Sequence, residues 1–151
     1  MSVTYKIEMV RCKVVRDRMI TLPRRNVVSL EDSLAIMHKL TDDSPSEKFI
    51  VMHVNGQNSI IGVEVVAQGG VSGACLRAVE VVRSAIIRNA SAIIVGHNHP
   101  SGDPTPSQHD IEMTHMLVDA CKTVGIPLLD HVIVTARGKH CSLLEMGVVR
   151  P

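Results

Sequence analysis

Ala92-Ile93-Ile94-Val95-Gly96-His97-Asn98-His99-Pro100-Ser101-Gly102-Asp103-Pro104-Thr105-Pro106-Ser107-Gln108-His109-Asp110 is the stretch that decides how this chain is read. Residues 92–95 are a short, continuously apolar strand suited to the middle of a sheet, and they deliver Gly96 and His97 at their end. Side chains on a strand alternate with period two, so His97 and His99 turn both imidazoles to one side. The turn-rich loop that follows can return Asp110 to the same point. Two ring nitrogens and one carboxylate oxygen then leave a fourth position open for water. That is the arrangement of a catalytic zinc, whereas a structural zinc is closed by four protein ligands. The spacing predicts one zinc per chain, held by His97, His99 and Asp110, in a metal-dependent hydrolase.

Outward from this centre the chain alternates strands and helices. Residues 107–124 read as an amphipathic helix closed by Gly125. Residues 76–89 carry helical spacing at Leu76, Val79, Val82, Ile86 and Ile87. A further helix over residues 30–40 is capped by Ser29, with Glu31 and Asp32 where the helix dipole favours carboxylates. Residues 48–54 and 60–67 read as strands joined at Asn55-Gly56, a strong hairpin signal, and residues 68–73 end that hairpin with three glycines. Residues 127–136 and 141–144 supply further strands, and a strand is expected within the N-terminal arm at residues 7–15. The domain division expected is an arm over residues 1–28 and one α/β domain over 29–151, a mixed sheet sandwiched by helices.

Composition narrows the function. The chain has 151 residues, is 45% apolar and carries a net charge of +1. Tyr5 and Phe49 are its only aromatics, so aliphatic side chains and Met must fill the core, and base-stacking modes of nucleic-acid binding lack their rings. The small net charge supplies no field for phosphate, and the basic run Arg11, Lys13, Arg16, Arg18, Arg24 and Arg25 reads as solvated surface. Cys12, Cys75, Cys121 and Cys141 stand far apart without a CxxC pair, as reduced thiols of a cytoplasmic protein do. No signal-peptide pattern opens the chain and no apolar run reaches membrane-spanning length.

His97-x-His99, seven intervening residues, then Ser107-x-x-Asp110 resembles the JAMM (MPN+) metalloprotease signature. The words Ile93-Ile94-Val95-Gly96-His97-Asn98-His99-Pro100-Ser101-Gly102-Asp103-Pro104 and Leu129-Asp130-His131-Val132-Ile133-Val134 are similar to the RadC-like branch of that family. The resemblance spans roughly residues 31–149 and implies a JAB/MPN domain of cytidine-deaminase-like build. It further implies a catalytic glutamate from an upstream strand, a position matched by Glu47 in Ser46-Glu47-Lys48-Phe49-Ile50-Val51, with Glu64 as the backup. In the implied chemistry Glu47 takes a proton from water and returns it to the leaving nitrogen, while Ser107 donates a hydrogen bond to the oxyanion. The implied partner is a peptide or protein substrate, with homodimerisation left open.

Two features depart from that pattern. Longer RadC proteins carry an N-terminal helix-hairpin-helix module for DNA, for which these 151 residues leave no room beside the domain. Where one common version of the family reads His-Pro-Arg-Glu, this chain has Arg77-Ala78-Val79-Glu80.

Other readings compete at particular residues. Ser107-x-x-Asp110 also fits a helix capping box, and the two roles are compatible. His131 either orients a ligand from behind or is a satisfied structural histidine. His109 should face outward, and Asp103 belongs to a Gly-Asp-Pro turn rather than the ligand set. Among functions, the alternative is a DNA-repair accessory protein or nuclease. A zinc deaminase would need His-x-Glu followed by Pro-Cys-x-x-Cys, and the chain has neither.

Overall fold

A five-stranded sheet in the order β2-β1-β3-β4-β5 organises the protein. The computed structural model describes residues 6–22, 26–27, 29–41, 44–69 and 76–151. In chain order the elements are α1 (Leu30–Thr41), β1 (Lys48–Val54), β2 (Ile60–Gln68), α2 (Ala78–Ile87), β3 (Ala92–Asn98), α3 (Gln108–Val124), β4 (Leu128–Val134) and β5 (His140–Ser142). β3 and β4 are parallel, joined across α3, and every other neighbouring pair is antiparallel. This is the mixed-sheet α/β architecture that the alternating pattern predicts.

Period-two alternation splits the apolar residues of the central strands between two cores. Phe49 and Val51 of β1, Ile93 and Val95 of β3 and Ile133 of β4 face Val81 and Ala85 of α2 and Met113, Leu117 and Cys121 of α3. Ile50, Met52, Val54, Ala92, Ile94, Val132 and Val134 face the other way, onto Ile36 and Met37 of α1. The sheet is therefore covered on both faces, which is why β1 and β3 are apolar along almost their whole length. Gly96 is where α1 comes closest. A Cβ there would lie 2.6 Å from the Met37 sulfur and 2.8 Å from the Val132 carbonyl oxygen, so only glycine lets the helix seat behind His97.

Two local expectations, the strand at residues 7–15 and the bounds of α2, need correction. Residues 7–15 form no strand: residues 6–22 have no regular secondary structure, and Ile7, Met9, Val10 and Val15 are exposed. Alternation makes a segment strand-compatible, but a strand exists only when another edge satisfies its backbone groups. The β1–β2 hairpin forms where Asn55-Gly56 marks it, with Asn58 left-handed (φ 55°) and the Asn55 side chain accepting from the Gln57 and Ser59 amides at 3.0 and 2.9 Å. The Asn side chain thus shapes the loop between the two strands. Finally, α2 begins two residues later than its apolar spacing predicts and stops before Asn89, whose φ of 52° cannot continue a helix. Residues 70–75, most of the glycine-rich segment and Cys75, lie outside the described residues, as do Arg24 and Arg25. Cys12, Cys121 and Cys141 are free thiols, and among the described residues no helix is long and apolar enough to cross a membrane.

Candidate metal centre

The centre forms where the end of β3 meets the first turn of α3. His97 lies within β3, opposite Phe49 of β1, and its ring stacks on Phe49 with centroids 6.0 Å apart and 14° between planes. His99 follows directly after the strand, and its Nδ1 lies 2.8 Å from the Asp103 carbonyl oxygen. Gly102 supplies the left-handed backbone (φ 84°) that lets the loop fold back this tightly.

Asp110 is buried in the first turn of α3, where the helix dipole favours its charge. Ser107 is the N-cap: its Oγ accepts from the Asp110 amide at 3.2 Å and donates to Asp110 Oδ2 at 2.6 Å. The Ser107 amide donates to the same oxygen at 2.7 Å, closing a capping box that pins the carboxylate.

These constraints make three potential ligands converge. His97 Nε2 and His99 Nε2 are 2.9 Å apart, His97 Nε2 is 3.2 Å from Asp110 Oδ1, and His99 Nε2 is 3.6 Å from Asp110 Oδ2. One ligand atom from each residue lies within 4.8 Å of the others. The arrangement suits a cation on chemical grounds. A carbonyl oxygen only accepts, so neutral His99 must carry its proton on Nδ1 to bond Asp103, leaving Nε2 as a lone pair. That lone pair and a carboxylate face the same small volume, and a positive centre between them is what both require. Two imidazole nitrogens and a carboxylate are ligands that zinc accepts.

The electrostatics agree. Burial alone would raise the pKa of Asp110, but the closeness of the His97 and His99 rings and the hydrogen bond from the Ser107 hydroxyl overcome it and hold the carboxyl far below the usual range. His99 is raised, mainly by its bond to Asp110; burial opposes this, while the Asp103 carbonyl and the charges of Asp110 and Glu47 add to it. Burial drives His131 well below the ordinary histidine value, so it is neutral at neutral pH.

A profile of the RadC-like JAB domain matches residues 27–148. The chain belongs to the RadC-like JAB domain family. A protein named UPF0758 from Methanosarcina acetivorans is 38% identical over 128 residues, covering 85% of this chain and 56% of that protein. A UPF0758 protein from Salinibacter ruber is 42% identical over 126 residues, or 83% of this chain and 54% of the relative. A third, from Symbiobacterium thermophilum, is 44% identical over 103 residues, 68% and 44% of the two chains. This chain thus spans about half the length of the curated relatives it matches.

Within this RadC-like JAB domain, Glu47 is placed by residues that sequence reasoning passed over. Asn98, between the two histidines, accepts from the Lys48 amide at 2.8 Å and donates to the Ser46 carbonyl at 3.2 Å. It therefore holds the peptides on both sides of Glu47. The Glu47 carbonyl in turn accepts from the Gly69 amide at 3.0 Å, where the glycine-rich segment leaves the sheet. The charge of Glu47 is the smallest of the causes that raise the pKa of His99, after Asp110 and the Asp103 carbonyl. Glu64, the backup, belongs elsewhere: its Oε2 takes the Ser84 hydroxyl at 2.5 Å, and Ser84 lies 2.5 Å from His53 Nε2. His109 is exposed, and the Asp103 side chain bonds Thr105 within its own turn. His131 contacts His97 and Thr114, and Thr114 had one sequence signal: it stands four residues after Asp110, on the same helix face.

Proposed function

We propose that this RadC-like JAB domain is a zinc-dependent hydrolase of amide bonds, a metallopeptidase or isopeptidase. The observation that carries the reading is the convergence of His97 Nε2, His99 Nε2 and the Asp110 carboxylate. Those three residues would hold the zinc as its only protein ligands. A bound zinc supplies Lewis acidity, which lowers the pKa of a water toward ~7 and polarises a carbonyl.

The chain's own residues would do the rest. Glu47, held on both flanks by Asn98, is a base that accepts the proton of the attacking water and passes it to the leaving nitrogen. Ser107 is exposed, and its hydroxyl can turn from Asp110 to an oxyanion without any change in the helix cap's backbone. β2 is an edge strand that ends beside Glu47, so an extended peptide adding to that edge would run toward the site. The free cysteines fit a reducing, cytoplasmic setting.

One base and one oxyanion donor suit attack at a carbonyl carbon. Phosphodiester cleavage would more naturally recruit a second metal or cationic clamps. Incubating the zinc-loaded chain with a peptide and isopeptide library, and separately with single- and double-stranded DNA, distinguishes the two. Zinc-dependent amide cleavage with intact DNA is the expected result. Nicked DNA that requires both zinc and Glu47, with no amide cleaved, would reverse the assignment to a nuclease.

A further inference from the structure

Resting on the metal-centre reading, we infer that Thr114 and His131 are positioning residues that fix the proton of His97 on Nδ1, so that its Nε2 lone pair always faces the metal position. Both side chains are fully buried and neither touches that position. They form a chain running from the helix backbone to the ligand. The Thr114 hydroxyl lies 2.6 Å from the Asp110 carbonyl oxygen, 2.6 Å from His131 Nδ1, and His131 Nε2 lies 2.9 Å from His97 Nδ1.

The direction of every bond in this chain follows from its fixed end. A carbonyl oxygen can only accept, so the single proton of Thr114 goes to Asp110. The Thr114 oxygen is left to accept, and His131 must donate to it from Nδ1. Neutral His131, the form that burial favours, then carries no proton on Nε2 and accepts there. His97 must supply that proton from Nδ1, which leaves its own Nε2 bare. A ring that bonded through Nε2–H instead would place a hydrogen where the metal belongs. Asp110 and Thr114 lie one turn apart on α3, so one helical turn provides both a ligand and the anchor that sets the protonation of another.

A simpler account has Thr114 back-bonding to its own helix, as threonines often do, and His131 merely filling the core. The two accounts differ in what Thr114→Val does. Under back-bonding alone the variant changes stability and nothing at His97. Under the positioning account, His131 Nδ1–H loses its acceptor, and the reversed proton arrangement becomes competitive.

Nitrogen-15 spectra of the histidine rings in the metal-free chain, at a pH where the rings are neutral, read the proton's position directly. The parent should show His97 protonated on Nδ1. Thr114→Val should populate the Nε2–H form of His97 to a comparable level and weaken zinc binding by about 10- to 100-fold, the usual cost of losing an outer-shell partner. Thr114→Ser, which keeps the hydroxyl, should retain the parent's pattern and affinity. A parent with His97 protonated on Nε2 overturns the inference without any variant. So does a folded Thr114→Val with the parent's tautomer and unchanged zinc affinity. A parent with the Nδ1–H tautomer that takes up no zinc overturns the metal-centre reading instead, so the two failures are distinguishable.

Discussion

Glu47→Gln should keep its zinc and its fold yet lose hydrolysis by a factor on the order of 10²–10⁴, the range a positioned general base contributes. The amide is nearly isosteric with the carboxylate but cannot take a proton at neutral pH. Asn98 grips the backbone on either side of residue 47 rather than its side chain, so the substitution leaves the local conformation in place. Single-turnover rates on a cleaved peptide, together with the zinc content of both proteins, check this. Loss of zinc from the variant would make Glu47 a ligand, and an unchanged rate would remove it from the chemistry.

His97→Ala should abolish zinc binding at micromolar protein. His97 contributes one of the three potential ligands that converge among the described residues, so its loss should exceed the roughly 10- to 100-fold cost typical of losing a residue that only orients a ligand. His97 is also packed against Phe49 and His131, so the alanine leaves a void in the core. His97→Gln, which fills more of that space, is the companion variant, and both should be metal-free while circular dichroism reports an intact fold. Equal zinc content in the parent and both variants would place the metal elsewhere.

The legibility of this centre in sequence had physical roots. His97 and His99 share a side because strand side chains alternate, and Asp110 is tied to a helix start that Ser107 announces. Both are local rules, readable over a few residues. Asn98 was not legible in the same way: its work is done on Ser46 and Lys48, across 52 and 50 residues, and no spacing reveals such a pairing. His131 could be flagged as a residue near a metal, but its role depends on Thr114, seventeen residues away on another element. Phe49 is a core residue that also buttresses two histidines, a role no spacing announces. The arm at residues 7–15 shows the converse limit, since residues that suit a strand do not by themselves supply the neighbour that it needs.

X-ray absorption at the zinc edge of the loaded chain tests the central claim most directly, because it counts and identifies the atoms around the metal. The account predicts two imidazole nitrogens at roughly 2.0–2.1 Å and two oxygens at roughly 2.0–2.2 Å, one from Asp110 and one from water, in four-coordination. A zinc–sulfur distance near about 2.3 Å, or a shell without imidazole, would contradict it.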